Sequence, residues 1–288
     1  MSDQTLNQVK KLCQAYGIIP QRQKGQNFLI NSAVVESMVK AADITKDNVI
    51  LEVGPGLGIL TESLIKAAKR VVSVELDQKL FSLLKAKFAG VNNLELVNQD
   101  ILKVNPTSYL LLPTSYKIVA SLPYNITSFF LKDFLTAEIK PSAMTLLVQK
   151  EVAERICAPV GNLSLLAISV QLYGQPKIME TVSRANFWPT PAVDSAILKI
   201  ADIRNQKSVD NFFAGQIAEQ FFWQIVRMGF SSKRKQLQNN LAACLKLPSA
   251  DIKKLLNQAN FDQKIRAQNL SVTDWLTLAI AINSWLKK

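Results

Sequence analysis

The tetrapeptide Ser121-Leu122-Pro123-Tyr124 contains residue types that can hold a planar base for chemistry on its exocyclic amine. It follows the apolar run YKIVA, where a buried strand should reach the protein surface. Tyr124 offers a flat face for stacking, and Pro123 fixes a turn. The Ser121 hydroxyl and the Leu122 carbonyl can accept hydrogen bonds from an amine. We therefore predict these four residues to be catalytic; the alternative is a proline turn with a structural tyrosine.

Glycine residues follow a second apolar run, VILEV, in the segment GPGLG. Glu52, Gly54, Gly56 and Gly58 thus mark a strand-to-helix turn, where an open α/β sheet binds its ligand and where glycine lets the backbone approach it. A dinucleotide fingerprint would need glycine at position 59, which is Ile59. The pattern ExGxGxG is associated instead with S-adenosylmethionine, so we predict this cofactor, with Gly54 and Gly56 in its site.

Two acids stand at the ends of the next two apolar runs, RVVSVEL and LELVNQD. Glu75 could accept hydrogen bonds from both ribose hydroxyls of a bound nucleoside. Asp100 could accept from an adenine amine, with the backbone of Ile101 facing the ring. Each acid alone is better explained as a surface charge at a strand end, but three consecutive strand ends with suitable polar groups favour a nucleoside site.

A methyl donor beside the tetrapeptide would allow methylation of adenine N6. That nitrogen is a poor nucleophile because its lone pair is delocalised into the ring, and acceptors that hold its N–H groups out of plane would restore its reactivity. The donor is already activated, so positioning and electrostatics can supply most of the acceleration. The chain contains no histidine, which excludes Ser-His and Cys-His catalysis and histidine metal ligands. Its three cysteines have no CxxC spacing, so we predict no metal and no disulfide.

Short β-branched or leucine-rich runs alternate with segments of helical spacing up to about residue 202. This alternation predicts an α/β fold with a parallel sheet covered by helices on both faces. KIMETVS and VDSAILKI are too close for a helical crossover and should form an antiparallel pair at the sheet edge. Beyond residue 202 the segments read as amphipathic helices, including NFFAGQIAEQFFWQIVRMGF and SKRKQLQNNLAACL, after a linker at RNQKSVD. We predict a catalytic domain over 1–202, with a basic N-terminal arm, and a small helical domain over 203–288.

The charge distribution is uneven. The formal net charge is +12, and residues 203–288 carry 13 Lys or Arg against five Asp or Glu. Such an excess favours a polyanionic partner such as nucleic acid, with a solvated basic surface as the alternative. No apolar run reaches the roughly 18 residues of a membrane span, and the N-terminus has no signal-peptide pattern, so we predict a cytoplasmic protein without membrane contact.

The chain resembles the ribosomal RNA adenine N6-dimethyltransferases, specifically the bacterial small-subunit (16S) branch, over nearly its whole length. The matching segments are GQNFL (25–29), LEVGPGLGILT (51–61), VELD (74–77), QDIL (99–102), LPYNI (122–126), VQKEVAERI (148–156), FWPTPAVDSAI (187–197) and KRKQLQNNL (233–241). The resemblance implies a Rossmann-like seven-stranded methyltransferase sheet with a small helical domain. It also implies S-adenosylmethionine-dependent dimethylation of two adjacent adenosines in a hairpin near the 3′ end of 16S rRNA, on an immature particle.

The same resemblance assigns residues. Tyr124 would stack on the target base, and the donor site would be lined by Asn27, Leu29, Gly54, Glu75, Asp100 and Ser121. RNA contacts are predicted, with a solvated surface charge as the alternative for each, at Arg22, Lys24, Lys150, Arg155, Lys233, Arg234 and Lys235.

The chain departs from the family pattern at Ser121, where the family usually has asparagine, and we expect activity to be retained with a weaker hold during the second methylation. CAPVGN (157–162) is also more compact than the family pattern. The alternatives are the related 23S rRNA adenine N6-methyltransferase of the macrolide-resistance type and a non-catalytic RNA-binding assembly factor. We expect a monomer.

Overall fold

The computed structural model describes residues 3–21, 26–103, 116–123 and 126–287, and these contain nine strands and twelve α-helices. The strands are β1 (Phe28–Leu29), β2 (Val49–Val53), β3 (Arg70–Glu75), β4 (Leu94–Asn98), β5 (Tyr116–Ser121), β6 (Ala143–Gln149), β7 (Gln175–Val182), β8 (Phe187–Trp188) and β9 (Ser195–Ala201). None of the helices in this described part is both long and apolar enough to cross a bilayer.

Seven strands form one sheet in the order β4-β3-β2-β5-β6-β9-β7. The first five are parallel. β2 is buried along its whole length, as expected for a central strand covered on both faces, and its sequence VILEV is almost continuously apolar. Because β2 lies between β3 and β5, the chain leaves β2 and β5 in opposite directions along the sheet. This topological switch point opens a crevice at the carboxyl ends of the strands. The predicted α/β class is confirmed.

At this end of the large sheet, β9 alone runs against the other six strands. β9 is antiparallel to both β6 and β7, and a register shift between Ile178 and Glu180 interrupts the outer pair. The predicted antiparallel pair at the sheet edge is therefore confirmed. The connection between them contains the short strand β8, which pairs with β1 and places Phe28 opposite Trp188.

Helices cover the sheet and connect its parallel strands. They are α1 (Asp3–Ala15), α2 (Ser32–Ala41), α3 (Ile59–Ala67), α4 (Gln78–Lys87), α5 (Thr127–Thr136) and α6 (Lys150–Ile156). Cys13 at the end of α1 and Ile18 beyond it pack in one apolar cluster with Leu80 and Leu84 of α4. The Lys79 ammonium donates to the Gly17 carbonyl at 2.7 Å, which fastens the end of the α1 segment to α4.

The chain divides into two compact units. The first contains residues 1–154 and 174–203, and the second contains residues 155–173 and 204–288. The sequence placed all of residues 1–202 in one domain, whereas residues 155–173, with α7 (Leu165–Gln171), pack with the C-terminal helices. Within the second unit, the Gly161 N–H donates to the Gln268 carbonyl at 2.9 Å. This segment is distant in sequence from its partners, so helical periodicity alone could not assign it to them.

The remaining helices of the second unit are α8 (Gln206–Phe213), α9 (Glu219–Gly229), α10 (Leu237–Leu245), α11 (Ser249–Gln258) and α12 (Val272–Leu286). The single helix expected over NFFAGQIAEQFFWQIVRMGF is two helices, because Ala214 and Gly215 adopt left-handed φ values of 47° and 68°. The expected linker RNQKSVD forms the start of α8, where the Asn205 side chain accepts from the Ser208 N–H. SKRKQ, expected to be helical, precedes α10 as a loop.

Candidate active site

The glycine loop, residues 54–58, connects β2 to α3. All three of its glycines have positive φ values, a backbone conformation that residues with a Cβ adopt only with strain. The Gly54 N–H donates to the Val74 carbonyl at 3.0 Å, and the Gly58 N–H donates to the Pro55 carbonyl at 2.9 Å. A Cβ on Gly54 would lie 3.6 Å from the Ser121 carbonyl oxygen. The loop therefore runs directly beside the end of β5.

Glu75 ends β3 with its carboxylate turned toward the glycine loop. One oxygen accepts from the Gly56 N–H at 3.2 Å, and the other accepts from the Asp77 N–H at 2.9 Å. Only 6% of Glu75 is exposed, and this burial raises the pKa of its carboxyl, while the two backbone donors act in the opposite direction. Each oxygen of a carboxylate has two acceptor positions, so both keep the capacity to accept one more hydrogen bond.

Glu52 differs from Glu75 although both belong to neighbouring central strands. It is fully buried and accepts hydrogen bonds from the hydroxyls of Thr61, at 2.8 Å, and Ser73. Its other oxygen has no partner among the described residues. Burial raises its pKa to about 7, against the lowering effect of the two hydroxyls. Glu52 thus connects β2, β3 and α3 beneath the glycine loop instead of facing the cavity.

The described part of the catalytic segment predicted from the sequence is Ser121, Leu122 and Pro123. The Leu122 N–H donates to the Leu147 carbonyl of β6 at 3.2 Å, and the Pro123 carbonyl accepts from the Ile126 N–H at 3.2 Å. The segment is thereby attached both to the sheet and to the start of α5. Tyr124 lies outside the described residues.

These elements enclose a cavity of about 190 Å³ at the carboxyl ends of the parallel strands. A buried water needs only roughly 10–15 Å³, so the cavity has room for an organic ligand. Most of the predicted catalytic and donor-site residues line it together: Asn27, Leu29, Gly54, Gly56, Glu75, Ser121, Leu122 and Pro123. Residues with no individually assigned role in the sequence analysis also line it, including Leu57, Leu76, Leu80 and Phe187.

Phe187 reaches the cavity because β8 pairs with β1, and this pairing places Phe187 opposite Leu29. It is 4% exposed. The segment FWPTP was a recognisable signal in the sequence, but pairing with a strand about 160 residues away assigns its phenylalanine to this wall.

Asp100 and Ile101 are not among the residues that line the cavity. The Gln99 N–H donates to the Glu75 carbonyl at 3.1 Å, and this bond joins the chain to the end of β3. Asp100 and Ile101 follow directly after Gln99. The Asp100 carboxylate accepts from the Leu102 N–H at 3.1 Å, and Ile101 begins a short 3-10 helix with a buried side chain.

The basic residues predicted to contact RNA lie in both units. Lys150 is exposed at the start of α6 in the first unit, 3.8 Å from Glu154, and Arg155 is exposed in the second unit. Lys233, Arg234 and Lys235 are exposed in the basic loop, residues 230–236, between α9 and α10. Arg22 and Lys24 lie outside the described residues.

The basic loop has a second cationic segment beside it. The Leu237 N–H donates to the Ile265 carbonyl at 2.8 Å, which joins the end of the basic loop to the segment that carries Lys264 and Arg266. Both side chains are exposed. Their distance along the chain from the basic loop hid this proximity in the sequence, and the hydrogen bond joins the two segments across 28 residues.

The sheet order, the glycine loop and the acid at the end of β3 define an α/β methyltransferase. Two solved structures share the fold: a dimethyladenosine transferase from Plasmodium falciparum, with a TM-score of 0.73 and 27% identity over 88% of this chain and 96% of that one, and the 23S rRNA methyltransferase ErmE, with a TM-score of 0.69 and 26% identity over 89% of this chain and 100% of that one.

Residues 20–284 match the ribosomal RNA adenine dimethylase family. Among its relatives, the ribosomal RNA small subunit methyltransferase A of Dehalococcoides mccartyi is 41% identical over 95% of this chain and 92% of its own length. The protein of the same name from Clostridioides difficile is 35% identical over 96% of each chain. The chain belongs to the ribosomal RNA adenine dimethylase family and is an enzyme that methylates adenine in ribosomal RNA.

Proposed function

We propose that the enzyme transfers methyl groups from S-adenosylmethionine to N6 of two adjacent adenosines in a hairpin near the 3′ end of 16S rRNA. The observation that carries this proposal is the single cavity that joins the glycine loop and Glu75 to Ser121, Leu122 and Pro123. It supplies a nucleoside site and an amine site side by side. The small-subunit relatives named above support the choice of RNA.

The residues present fit the methyl donor. Bound S-adenosylmethionine supplies a methyl group that its sulfonium already activates. The Glu75 carboxylate has acceptor positions left for the hydroxyls of a ribose, and Leu57, Leu76 and Leu80 provide apolar walls for an adenine ring. Gly56 lacks a Cβ, which would lie 3.2 Å from the Phe28 ring, so the backbone leaves space there. Asp100 and Ile101 would contribute from the end of β4.

At the end of β5, the Ser121 hydroxyl and the Leu122 carbonyl would accept the two N–H groups of the target amine. The attachment of Leu122 to Leu147 fixes that carbonyl before substrate arrives, so little reorganisation is needed during the reaction. Phe187 offers an aromatic face at the cavity wall, and Tyr124 is proposed to stack on the same base. A hydroxyl at position 121 is shorter than the usual amide, so we expect the second methylation to be the slower one.

The exposed cations are proposed to hold RNA through its phosphates. Lysine and arginine side chains at exposed positions neutralise phosphates without reading sequence, and the folded shape of the RNA supplies most of the specificity. The first unit would bind the donor and carry out catalysis, and the second unit would supply most of the RNA contacts. The RNA-binding residues are Arg22, Lys24, Lys150, Arg155, Lys233, Arg234 and Lys235, with Lys264 and Arg266 added by their position.

The likeness to the structure of the 23S rRNA methyltransferase ErmE favours a second candidate, methylation of large-subunit RNA. The relatives at 35–41% identity carry small-subunit names, and this supports the first candidate over the second. We further propose a cytoplasmic monomer that acts without a metal on the immature small subunit and so participates in ribosome biogenesis. In the described part of the chain, no group of three or more metal-ligating side chains comes together.

The test is transfer of labelled methyl from S-adenosylmethionine to small ribosomal subunits from cells that lack this modification, followed by mapping of the modified bases. Large subunits and the Tyr124→Ala variant are the controls. We expect dimethyladenosines at an adjacent pair in the small-subunit RNA and loss of transfer in the variant. Modification of large subunits instead would support the second candidate, and tight binding without transfer would leave a non-catalytic assembly factor.

A further inference from the structure

Asn240 is a buried polar residue of α10 that contacts the backbone at the end of α9 and in the basic loop that follows it. Its side-chain amide donates to the Gly229 carbonyl at 2.6 Å and to the Ser232 carbonyl at 3.0 Å. Only 2% of the residue is exposed. Because Gly229 is the last residue of α9 and Ser232 lies in the basic loop, one amide group holds the end of the helix and the loop together.

Other backbone hydrogen bonds hold the two ends of the basic loop. At its start, the Phe230 N–H donates to the Val226 carbonyl at 3.1 Å and the Ser231 N–H donates to the Met228 carbonyl at 3.2 Å. Towards its end, the Lys235 N–H donates to the Ser232 carbonyl at 3.2 Å and the Gln236 carbonyl accepts from the Asn239 and Asn240 N–H groups. Within the described part of the chain, no salt bridge involves Lys233, Arg234 or Lys235. Their positions therefore depend on the backbone of the loop, and Ser232 is the point at which Asn240 fixes it.

We propose that Asn240 is a positioning residue for RNA binding, which acts by ordering the basic loop before the RNA arrives. The inference rests on the proposed binding of RNA by Lys233, Arg234 and Lys235. A loop that is ordered in the free enzyme loses less conformational entropy on binding, so the same phosphate contacts give a higher affinity. Without the amide, the Gly229 and Ser232 carbonyls lose a buried donor, and the loop has to be ordered by the RNA itself.

The chain offers a matched control, because the neighbouring Asn239 is exposed. Asn240→Asp removes both donated hydrogen bonds at nearly constant shape, and Asn239→Asp makes the same change of charge one residue away. We expect Asn240→Asp to raise the KM for unmethylated small ribosomal subunits about tenfold, the effect of losing one or two phosphate contacts. Asn239→Asp should change it less than about threefold, the effect of one exposed charge at a distance.

Two further measurements distinguish a positioning role of Asn240 from a purely structural one. The affinity for S-adenosylmethionine, measured by calorimetry, and kcat at saturating subunits should stay within about twofold of wild type in Asn240→Asp, because a positioning role affects only substrate binding. If Asn240→Asp does not fold, Asn240→Ser, whose hydroxyl can replace one of the two donors, is measured instead and should give a smaller rise in KM.

The decisive comparison uses the triple variant Lys233→Ala/Arg234→Ala/Lys235→Ala. If Asn240 acts through the basic loop, Asn240→Asp should add nothing to the KM of the triple variant, since the groups it positions are absent. An equal rise in both backgrounds would overturn the inference. A triple variant with wild-type KM would instead overturn the proposed role of the loop in RNA binding, and a triple variant with raised KM beside an unaffected Asn240→Asp variant would overturn the role of Asn240 alone.

Discussion

The glycine loop lines the cavity and the basic loop carries three exposed cations, and different parts of the chain hold the two loops in shape. In the glycine loop, the residues that bend the backbone are the loop residues themselves, with φ values of 66°, 58° and 78° at its three glycines. In the basic loop, a side chain from the following helix also holds the backbone, through hydrogen bonds to the Gly229 and Ser232 carbonyls. One loop is specified locally, and the other is held in part by a side chain that lies outside it.

The two loops also differ in solvation. Glu75 beside the glycine loop is nearly buried and has its carboxylate oriented by two backbone N–H groups. Low-dielectric surroundings strengthen the hydrogen bonds of such a buried carboxylate, so a substitution there has a large effect on binding. Lys233 and its neighbours are exposed, so each acts as a screened point charge of small individual effect. Substitutions near the glycine loop should therefore have large effects on the donor, and substitutions in the basic loop should have smaller, salt-dependent effects on RNA.

The largest effect is expected from Glu75→Gln. The amide leaves one oxygen to accept hydrogen bonds and turns an N–H group toward a backbone donor, so a ribose loses its partner and the glycine loop loses an anchor. We expect S-adenosylmethionine to bind about 100-fold more weakly, as for the loss of a hydrogen bond to a charged group in a buried site. Calorimetric titration with the donor measures this.

Glu95 lies on β4, is partly exposed and forms a salt bridge with Arg70. Glu95→Gln makes the same chemical change at this position and should leave donor affinity unchanged. Equal affinities for Glu75→Gln and wild type would contradict the assignment of Glu75 to the donor site.

Gly58→Ala tests whether packing adds to backbone strain in the glycine loop. A Cβ on Gly58 would lie 2.8 Å from the Phe88 ring and 2.9 Å from Leu84, whereas Gly90, with a similar φ of 81°, has no atom within 4 Å of such a Cβ. We expect Gly90→Ala to lower the free energy of unfolding by about 1 kcal/mol through strain alone. Gly58→Ala should lower it by about 2–3 kcal/mol through strain and overpacking. Urea denaturation compares the two, and equal losses would show that the Phe88 and Leu84 side chains move aside freely.

The same contrast explains which features the sequence predicts. Gly54, Gly56 and Glu75 could be predicted from the sequence because the backbone conformation or the chemistry at each position requires that residue type. The strands were predictable because burial on both faces gives runs such as VILEV. The segment 155–173 and Phe187 were not, because their partners are distant in sequence. The break in the helix at Ala214 was marked only by Gly215, since alanine itself gives no signal of a left-handed φ.

Glu52→Gln tests the buried acid beneath the glycine loop through pH. An acid whose pKa is raised to about 7 on folding keeps its proton in the folded protein, so stability decreases as pH rises from about 4.5 to about 7. At 1.36 kcal/mol per pKa unit, this amounts to at most about 3 kcal/mol, of which we expect about 2 to be observed. Because the chain has no histidine, no imidazole titrates in this range.

Urea denaturation at pH 5 and pH 8 gives the loss of stability for each protein. Glu52→Gln should lose about 2 kcal/mol less than wild type between these values, because the amide does not titrate. Taking the difference within each variant removes the pH-independent effect of the new amide. Identical pH dependence in the two proteins would mean that Glu52 is already ionised at pH 5.

The smallest effect, and the one most dependent on conditions, is expected in the basic loop. Lys233→Ala/Arg234→Ala/Lys235→Ala removes three exposed charges and should weaken binding to unmethylated small ribosomal subunits about tenfold near physiological salt. The slope of the logarithm of affinity against the logarithm of salt concentration should become shallower by about 2, since each phosphate contact contributes about 0.7–0.9. Filter binding at several salt concentrations measures the slope.

A matched control removes the same number of exposed charges elsewhere in the second unit, at Lys207, Lys253 and Lys254. It lowers the net charge equally and should leave the slope nearly unchanged if the three residues of the basic loop contact phosphates directly. Equal changes in the two triple variants would instead mean that RNA responds only to the net charge. The ordering of the basic loop by Asn240 would then matter for the fold of the second unit and not for its affinity, because an unspecific attraction does not depend on where a loop holds its charges.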